Sequence, residues 1–172
     1  MKKYLITSTP SYFQLRKHMP DFALYRDKEN KNYATEAQNF VQMCKPLKTL
    51  NVFLHQDYNL AKELGADGVH LTSKQFDEIP KAKELGLEVI ISTHTHDEVH
   101  IAEAMGADYV TYSPIFATPD KGAPKGVESL QEIVSMTDIK IFALGGIVSQ
   151  SEVEKIEQTS VYGFASIRYF SA

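Results

Sequence analysis

Short apolar runs alternate with amphipathic stretches along this chain. The runs are YLITS (4–8), FALYR (22–26), NVFLH (51–55), GVHL (68–71), VIIS (89–92), YVTY (109–112), IFAL (141–144) and VYGFASI (161–167). Each is too short for a helix and is apolar at consecutive positions. That is the pattern of parallel strands covered on both faces. Between the runs, the hydrophobic spacing predicts helices near 11–18, 33–46, 57–64, 75–85, 96–105, 127–136 and 150–158.

An internal repeat supports this alternation. AKELG occurs at 61–65 and again at 82–86, and AEAMG follows at 102–106. Each places a glycine where a helix end needs a left-handed residue, and each precedes an apolar run. A helix and strand recurring about every twenty residues give parallel strands joined by crossover helices. Thr72 with Gln75, Thr95 with Glu98, and Ser149 with Glu152 fit the capping-box spacing. Eight strands and seven helices predict a (β/α)8 TIM barrel forming one domain over 1–172. An open doubly wound sheet is the competing arrangement. The barrel is trimmed, since about 250 residues is typical. Its first helix is short. About five residues follow the last strand, so the eighth helix is largely missing. Strand eight and the first helix should then leave an apolar strip that a second copy covers, giving a homodimer.

Bulk properties narrow the class. The chain is 43% hydrophobic and 23% charged, with a formal net charge of −4. That balance argues against a general nucleic-acid binder. One cysteine, Cys44, excludes an intramolecular disulfide and fits a reducing compartment. The apolar part of MKKYLITSTP is too short for a signal peptide, and no run approaches membrane-spanning length. The expected location is the cytoplasm, with no membrane partner.

In a barrel, chemistry gathers at the C-terminal strand ends. Arg26 and Lys28 follow the second strand, two cations suited to an oxyanion or to a solvated loop. His55 and Gln56 end the third strand, and Asp57 reads as a helix N-cap. His70 ends the fourth, over the barrel mouth or as a packing residue. Ser92 and His94 follow the fifth, and imidazole suits proton transfer because it titrates near neutrality. His96 and His100 share a helix face as zinc pairs do, but nothing nearby completes a metal set. After the sixth comes SPIFATPDKGAP (113–124), either a rigid connection or an anion loop. Gly145 and Gly146 end the seventh, where backbone N–H groups approach a phosphate closely or simply make a tight turn.

GADGVHL (65–71), STHT (92–95), GADYVTYSPIFATPDKGAPKGVE (106–128) and ALGGI (143–147), with YLITS and YRDK (25–28), resemble the thiamine phosphate synthase/TenI family over about 4–171. The resemblance implies a (β/α)8 barrel acting on thiazole phosphate in thiamine biosynthesis. The synthases join an aminopyrimidine diphosphate to thiazole phosphate with Mg²⁺. TenI-type members resemble tautomerases that move protons on a thiazole phosphate carboxylate. Carried onto this chain, Arg26, Lys28, Thr118 and Lys121 line a diphosphate site. His70 and Ser92 face the substrate, and His94 is the acid–base group. Gly145, Gly146 and Ser166 hold phosphate, with Arg168 where the family has serine. The two metal carboxylates are replaced by Gln56 and Gln75, which implies no metal unless synthase activity persists. Asp120 stands where a threonine is expected and could pair with Lys121. The expected function is TenI-like work on a phosphorylated thiazole or similar small molecule. Thiamine phosphate synthesis, or ligand or partner binding without catalysis, are the alternatives.

Overall fold

The computed structural model describes residues 1–171. The strands are β1 (Lys2–Thr7), β2 (Phe22–Tyr25), β3 (Asn51–His55), β4 (Gly68–Leu71), β5 (Glu88–Thr93), β6 (Tyr109–Tyr112), β7 (Lys140–Leu144) and β8 (Gly163–Ser166). They close in chain order into a parallel barrel, with β8 paired to β1. The helices α1 (Tyr12–His18), α2 (Tyr33–Cys44), α3 (Tyr58–Leu64), α4 (Ile79–Glu84), α5 (His96–Ala104), α6 (Gly126–Met136) and α7 (Gln150–Glu157) provide the crossovers. This is the trimmed TIM barrel that the alternating pattern predicts, and the closure of β8 on β1 rules out the open sheet.

The strands have two apolar faces because they separate two cores. Inside the barrel, Tyr4, Phe22, Phe53, Tyr109 and Phe142 pack with Ile6, Leu24 and Ile90. Phe142 lies 5.0 Å from the rings of both Tyr4 and Phe22. So many rings fit because glycine stands opposite two of them. A Cβ on Gly163 would come within 2.8 Å of the Phe142 ring, and one on Gly68 would overlap Phe53. Outside, Leu5, Val69, Val89 and Ile91 meet Phe40, Ala61, Ile79 and Val99 of the helices. Each buried large apolar side chain contributes about 1.5–3 kcal/mol.

A polar device at the strand N-termini explains the repeated Gly-Ala-Asp. The Asp21, Asp67 and Asp108 carboxylates accept the backbone N–H of Lys3, Val52 and Val89 at 2.9, 2.7 and 2.8 Å. Their own N–H groups donate to the carbonyls of the same three residues. Each aspartate therefore ties the start of one strand to its neighbour.

Local boundaries differ from the periodic reading where proline intervenes. Helix α2 stops at Cys44: Lys45 still has helical backbone, but Pro46 has no N–H to carry the ladder further. Helix α4 starts at Ile79 with Pro80 in its first turn, after a 3₁₀ turn at Phe76–Glu78. Gln75 therefore secures that turn instead of capping the helix. Ser149 and Glu152 form a full capping box. Thr95 caps the Glu98 N–H, but the Glu98 carboxylate reaches back to His94 N instead.

After β8 the chain makes a 3₁₀ turn, Arg168–Phe170, in the place of an eighth helix. The expected bare strip beside β8 is not there. Phe170, 1% exposed, stacks on Phe164 at 5.8 Å, and Gln14 of α1 donates to the Phe170 carbonyl at 2.7 Å. One aromatic residue on a turn thus covers the strand. Phe13 of α1 stays 75% exposed. No helix among the described residues is long and apolar enough to cross a membrane.

Candidate active site

A cavity of about 520 Å³ opens at the C-terminal strand ends. Its lining includes Arg26, Lys28, His70, Ser92, His94, Thr118, Lys121 and Gly145. The structure thus gathers eight of the residues singled out in the sequence. Gly146, Ser166 and Arg168 are not among the lining residues. The Ser166 hydroxyl donates to Ile147 O at 2.7 Å and accepts Tyr169 N–H at 3.1 Å, so it joins the ends of β7 and β8. Arg168 is exposed on the turn beyond β8. A groove of about 590 Å³ at the opposite end is lined by Leu15, Met19, Asp21, Leu47 and Leu50, away from the polar groups at the strand C-termini.

The cavity rim is cationic. Arg26 is half-buried, and loss of hydration lowers its pKa. Lys28 is lowered first by the Arg26 charge, then by burial and by Lys121. Among the described residues no carboxylate lies within ion-pair distance of these three side chains. Ion pairs lie elsewhere, at Lys2–Asp21 and Lys83–Asp108. Asp120 also lines the cavity, at a backbone φ of 60°, but forms no ion pair with Lys121. Cations without an ion-pair partner on a concave surface attract an anion.

Tyr33, at the start of α2, sets the rim's geometry. Its hydroxyl donates to Tyr25 O at 2.8 Å and accepts His55 N–H at 3.0 Å, while its ring stacks on Tyr25 at 4.8 Å. This latch joins the ends of β2 and β3, where Arg26 and His55 lie. His55 is a lining residue that the strand-end pattern did not single out for binding. Burial, with Arg26 and Lys28 nearby, pushes its pKa down to about 4. His70 is lowered to about 3, chiefly by burial. Both imidazoles are neutral at pH near 7, so the cavity floor is polar and uncharged.

His94 is more exposed. Its Nδ1 lies 3.1 Å from Ser113 O and 3.3 Å from Ser113 Oγ, so the ring is tethered through Nδ1 to the start of the β6–α6 loop. Its Nε2 is the ring nitrogen without a protein hydrogen bond among the described residues. The β6–α6 loop, with its cis Ser113–Pro114 peptide, docks on the end of β7 through Ile115 N–H to Leu144 O and Phe116 N–H to Gly145 O. Gly145 and Gly146, at φ of 105° and 68°, permit that approach. A Cβ on Gly146 would lie 2.6 Å from Ala117 O. The Thr118 hydroxyl donates to Phe116 O at 3.0 Å, leaving its oxygen as an acceptor.

The Mg²⁺ implied by the resemblance does not fit these residues. Gln75 Oε1 accepts Thr72 N–H at 2.9 Å, and its Nε2 donates to Gln56 O at 3.2 Å. Neither amide is an anionic ligand, and the described residues hold no group of three His, Cys, Asp or Glu side chains able to take a metal.

The strands thus close into a (β/α)8 barrel with a cationic cavity at their C-terminal ends. The thiamine monophosphate synthase family model matches residues 4–170, and the chain belongs to that family. It is 30% identical over 148 residues to a putative thiamine-phosphate synthase 2 of Aquifex aeolicus, covering 84% of this chain and 77% of that protein. It is 34% identical over 140 residues to a Synechocystis thiamine-phosphate synthase, covering 77% of this chain but 40% of that longer one. A solved thiamine phosphate pyrophosphorylase from Pyrococcus furiosus superposes with a TM-score of 0.82 at 26% identity, over 99% of this chain and 91% of that one.

Proposed function

We propose that the protein works in thiamine biosynthesis on a phosphorylated thiazole, bound in the cavity at the strand C-termini. The observation that carries this reading is the Arg26–Lys28–Lys121 rim, without ion-pair partners, beside the neutral imidazoles of His55 and His70. The rim suits a phosphate, and the floor suits an uncharged ring. Ser92 and Thr118 supply short polar contacts. His94, tethered through Nδ1 to Ser113, moves a proton on a thiazole phosphate carboxylate without a metal.

The names of the relatives favour a second reading, thiamine phosphate synthesis. Against it stand the two glutamines and the uncharged floor, which offer a divalent cation nothing anionic. One assay pair separates the readings. Purified protein is given thiazole phosphate carboxylate alone. Separately, it receives aminopyrimidine diphosphate, thiazole phosphate and Mg²⁺. The first reading expects metal-free tautomerisation that is lost in His94→Ala, and no thiamine phosphate. Thiamine phosphate formed at an enzymatic rate replaces it with the second. Ligand binding with neither reaction favours a non-catalytic barrel.

A homodimer remains part of the proposal, with a second copy against α1, where Tyr12 and Phe13 are exposed. Light scattering of a monomer at micromolar concentration contradicts it.

A further inference from the structure

Three side chains on three strands form a hydrogen-bonded line from the barrel core to the cavity. The Tyr4 hydroxyl of β1 lies 2.7 Å from His70 Nδ1 of β4, and His70 Nε2 lies 3.0 Å from Ser92 Oγ of β5. Tyr4 is fully buried among Phe22, Phe53 and Phe142, which offer its hydroxyl no acceptor. Burial also raises its pKa well above the usual phenol range, so the hydroxyl keeps its proton.

The direction of the line follows from that proton. If His70 Nδ1 carried hydrogen, the Tyr4 O–H would be buried without a partner, which is strongly disfavoured. Tyr4 therefore donates, Nδ1 accepts, and the neutral ring carries its hydrogen on Nε2. Nε2–H then donates to Ser92 Oγ. The Ser92 hydroxyl hydrogen has no acceptor among the described residues and is free to turn to the cavity that Ser92 lines.

We propose that Tyr4 and His70 are positioning residues that hold the Ser92 hydroxyl as a hydrogen-bond donor facing the ligand, so that the atom resting on Ser92 is an acceptor such as a bare ring nitrogen or an anionic oxygen. With the opposite tautomer, Ser92 would donate to His70 and offer the ligand only lone pairs. Tyr4 thus selects, from inside the core, the polarity of a contact made at the mouth. The proposal rests on the reading of this cavity as the ligand site. Its first half, the tautomer, does not depend on any ligand.

Two measurements test it. In protein labelled with ¹⁵N-histidine, the His70 nitrogen shifts should report a protonated Nε2 and a bare Nδ1 without ligand, and a mixture of tautomers in Tyr4→Phe. A protonated Nδ1 in the parent protein overturns the proposal, and that measurement needs no variant to fold. Calorimetry with hydroxyethylthiazole phosphate should give about a three- to tenfold weaker affinity for Ser92→Ala and for Tyr4→Phe, the worth of one hydrogen bond, with no further loss in the double variant. Unchanged affinity in Tyr4→Phe beside a weakened Ser92→Ala overturns the proposal, as does unchanged affinity in Ser92→Ala. Absence of binding by the parent protein overturns the functional reading and the ligand half of this one. The tautomer half then stands or falls on the nitrogen shifts.

Discussion

Gln75 donates its side-chain amide to the backbone carbonyl of Gln56 at 3.2 Å, clipping the β4 loop onto the end of β3. Gln56 has a φ of 67°, and the clip helps to hold that left-handed backbone. At positions where the family resemblance implies metal carboxylates, this chain has an amide brace. Isothermal titration of the protein with Mg²⁺ alone should give no saturable binding. Restoring both acids, in Gln56→Asp/Gln75→Asp, should introduce it. Saturable binding to the parent protein contradicts the brace reading.

The cationic rim predicts opposite responses to two kinds of charge change. Arg26→Ala and Lys121→Ala should each weaken binding of thiazole phosphate by roughly tenfold or more, as expected for a charge-assisted hydrogen bond. Asp120→Asn removes the acid that shares the cavity wall and should strengthen binding by about two- to fivefold, less at high salt. An affinity unchanged by Asp120→Asn at low salt would mean that Asp120 does not act on the bound anion.

The two buried imidazoles make stability depend on pH. Their folded pKa values, about 4 for His55 and about 3 for His70, lie below the unfolded value near 6.5. Below that value the unfolded chain binds protons that the folded chain refuses. Stability is therefore lost as pH falls from about 6.5 toward the folded values, by about 1.4 kcal/mol per pH unit for each imidazole. Urea denaturation at pH of about 7 and about 5.5 measures the drop. His55→Asn should remove about half of it.

The aspartates at the strand N-termini predict a different loss. Asp108 accepts Val89 N–H and holds Lys83 at 2.7 Å. Asp108→Ala leaves a backbone donor without its acceptor and should destabilise by about 1–3 kcal/mol in urea. Lys83→Ala, which removes a part-exposed ion pair, should lose less than about 1 kcal/mol.

The barrel was legible because its evidence is local and repeated. AKELG and Gly-Ala-Asp mark a helix end and a strand start in one stretch of sequence, and consecutive apolar residues mark strands covered twice. The site was only half legible. Position at a strand end says that a residue is near the mouth, but strand parity and the following turn decide where its side chain points. His70, Ser92 and His94 follow inward parity. Ser166 is turned onto the Ile147 carbonyl, and Arg168 sits past the strand on a turn. Tyr33 and Tyr4 were not read as site residues because their hydroxyls act on partners 22 and 66 residues away. No local pattern records such a contact.

The three aspartate ties lie at the end of the barrel remote from the cavity. Three of the eight seams between strands are therefore pinned by groups outside that cavity. Loops at the mouth can be lengthened, shortened or exchanged while those seams keep their alignment. A graft of the β6–α6 loop, from Ser113 to Lys125, would then test a change of ligand on a scaffold whose register is set elsewhere.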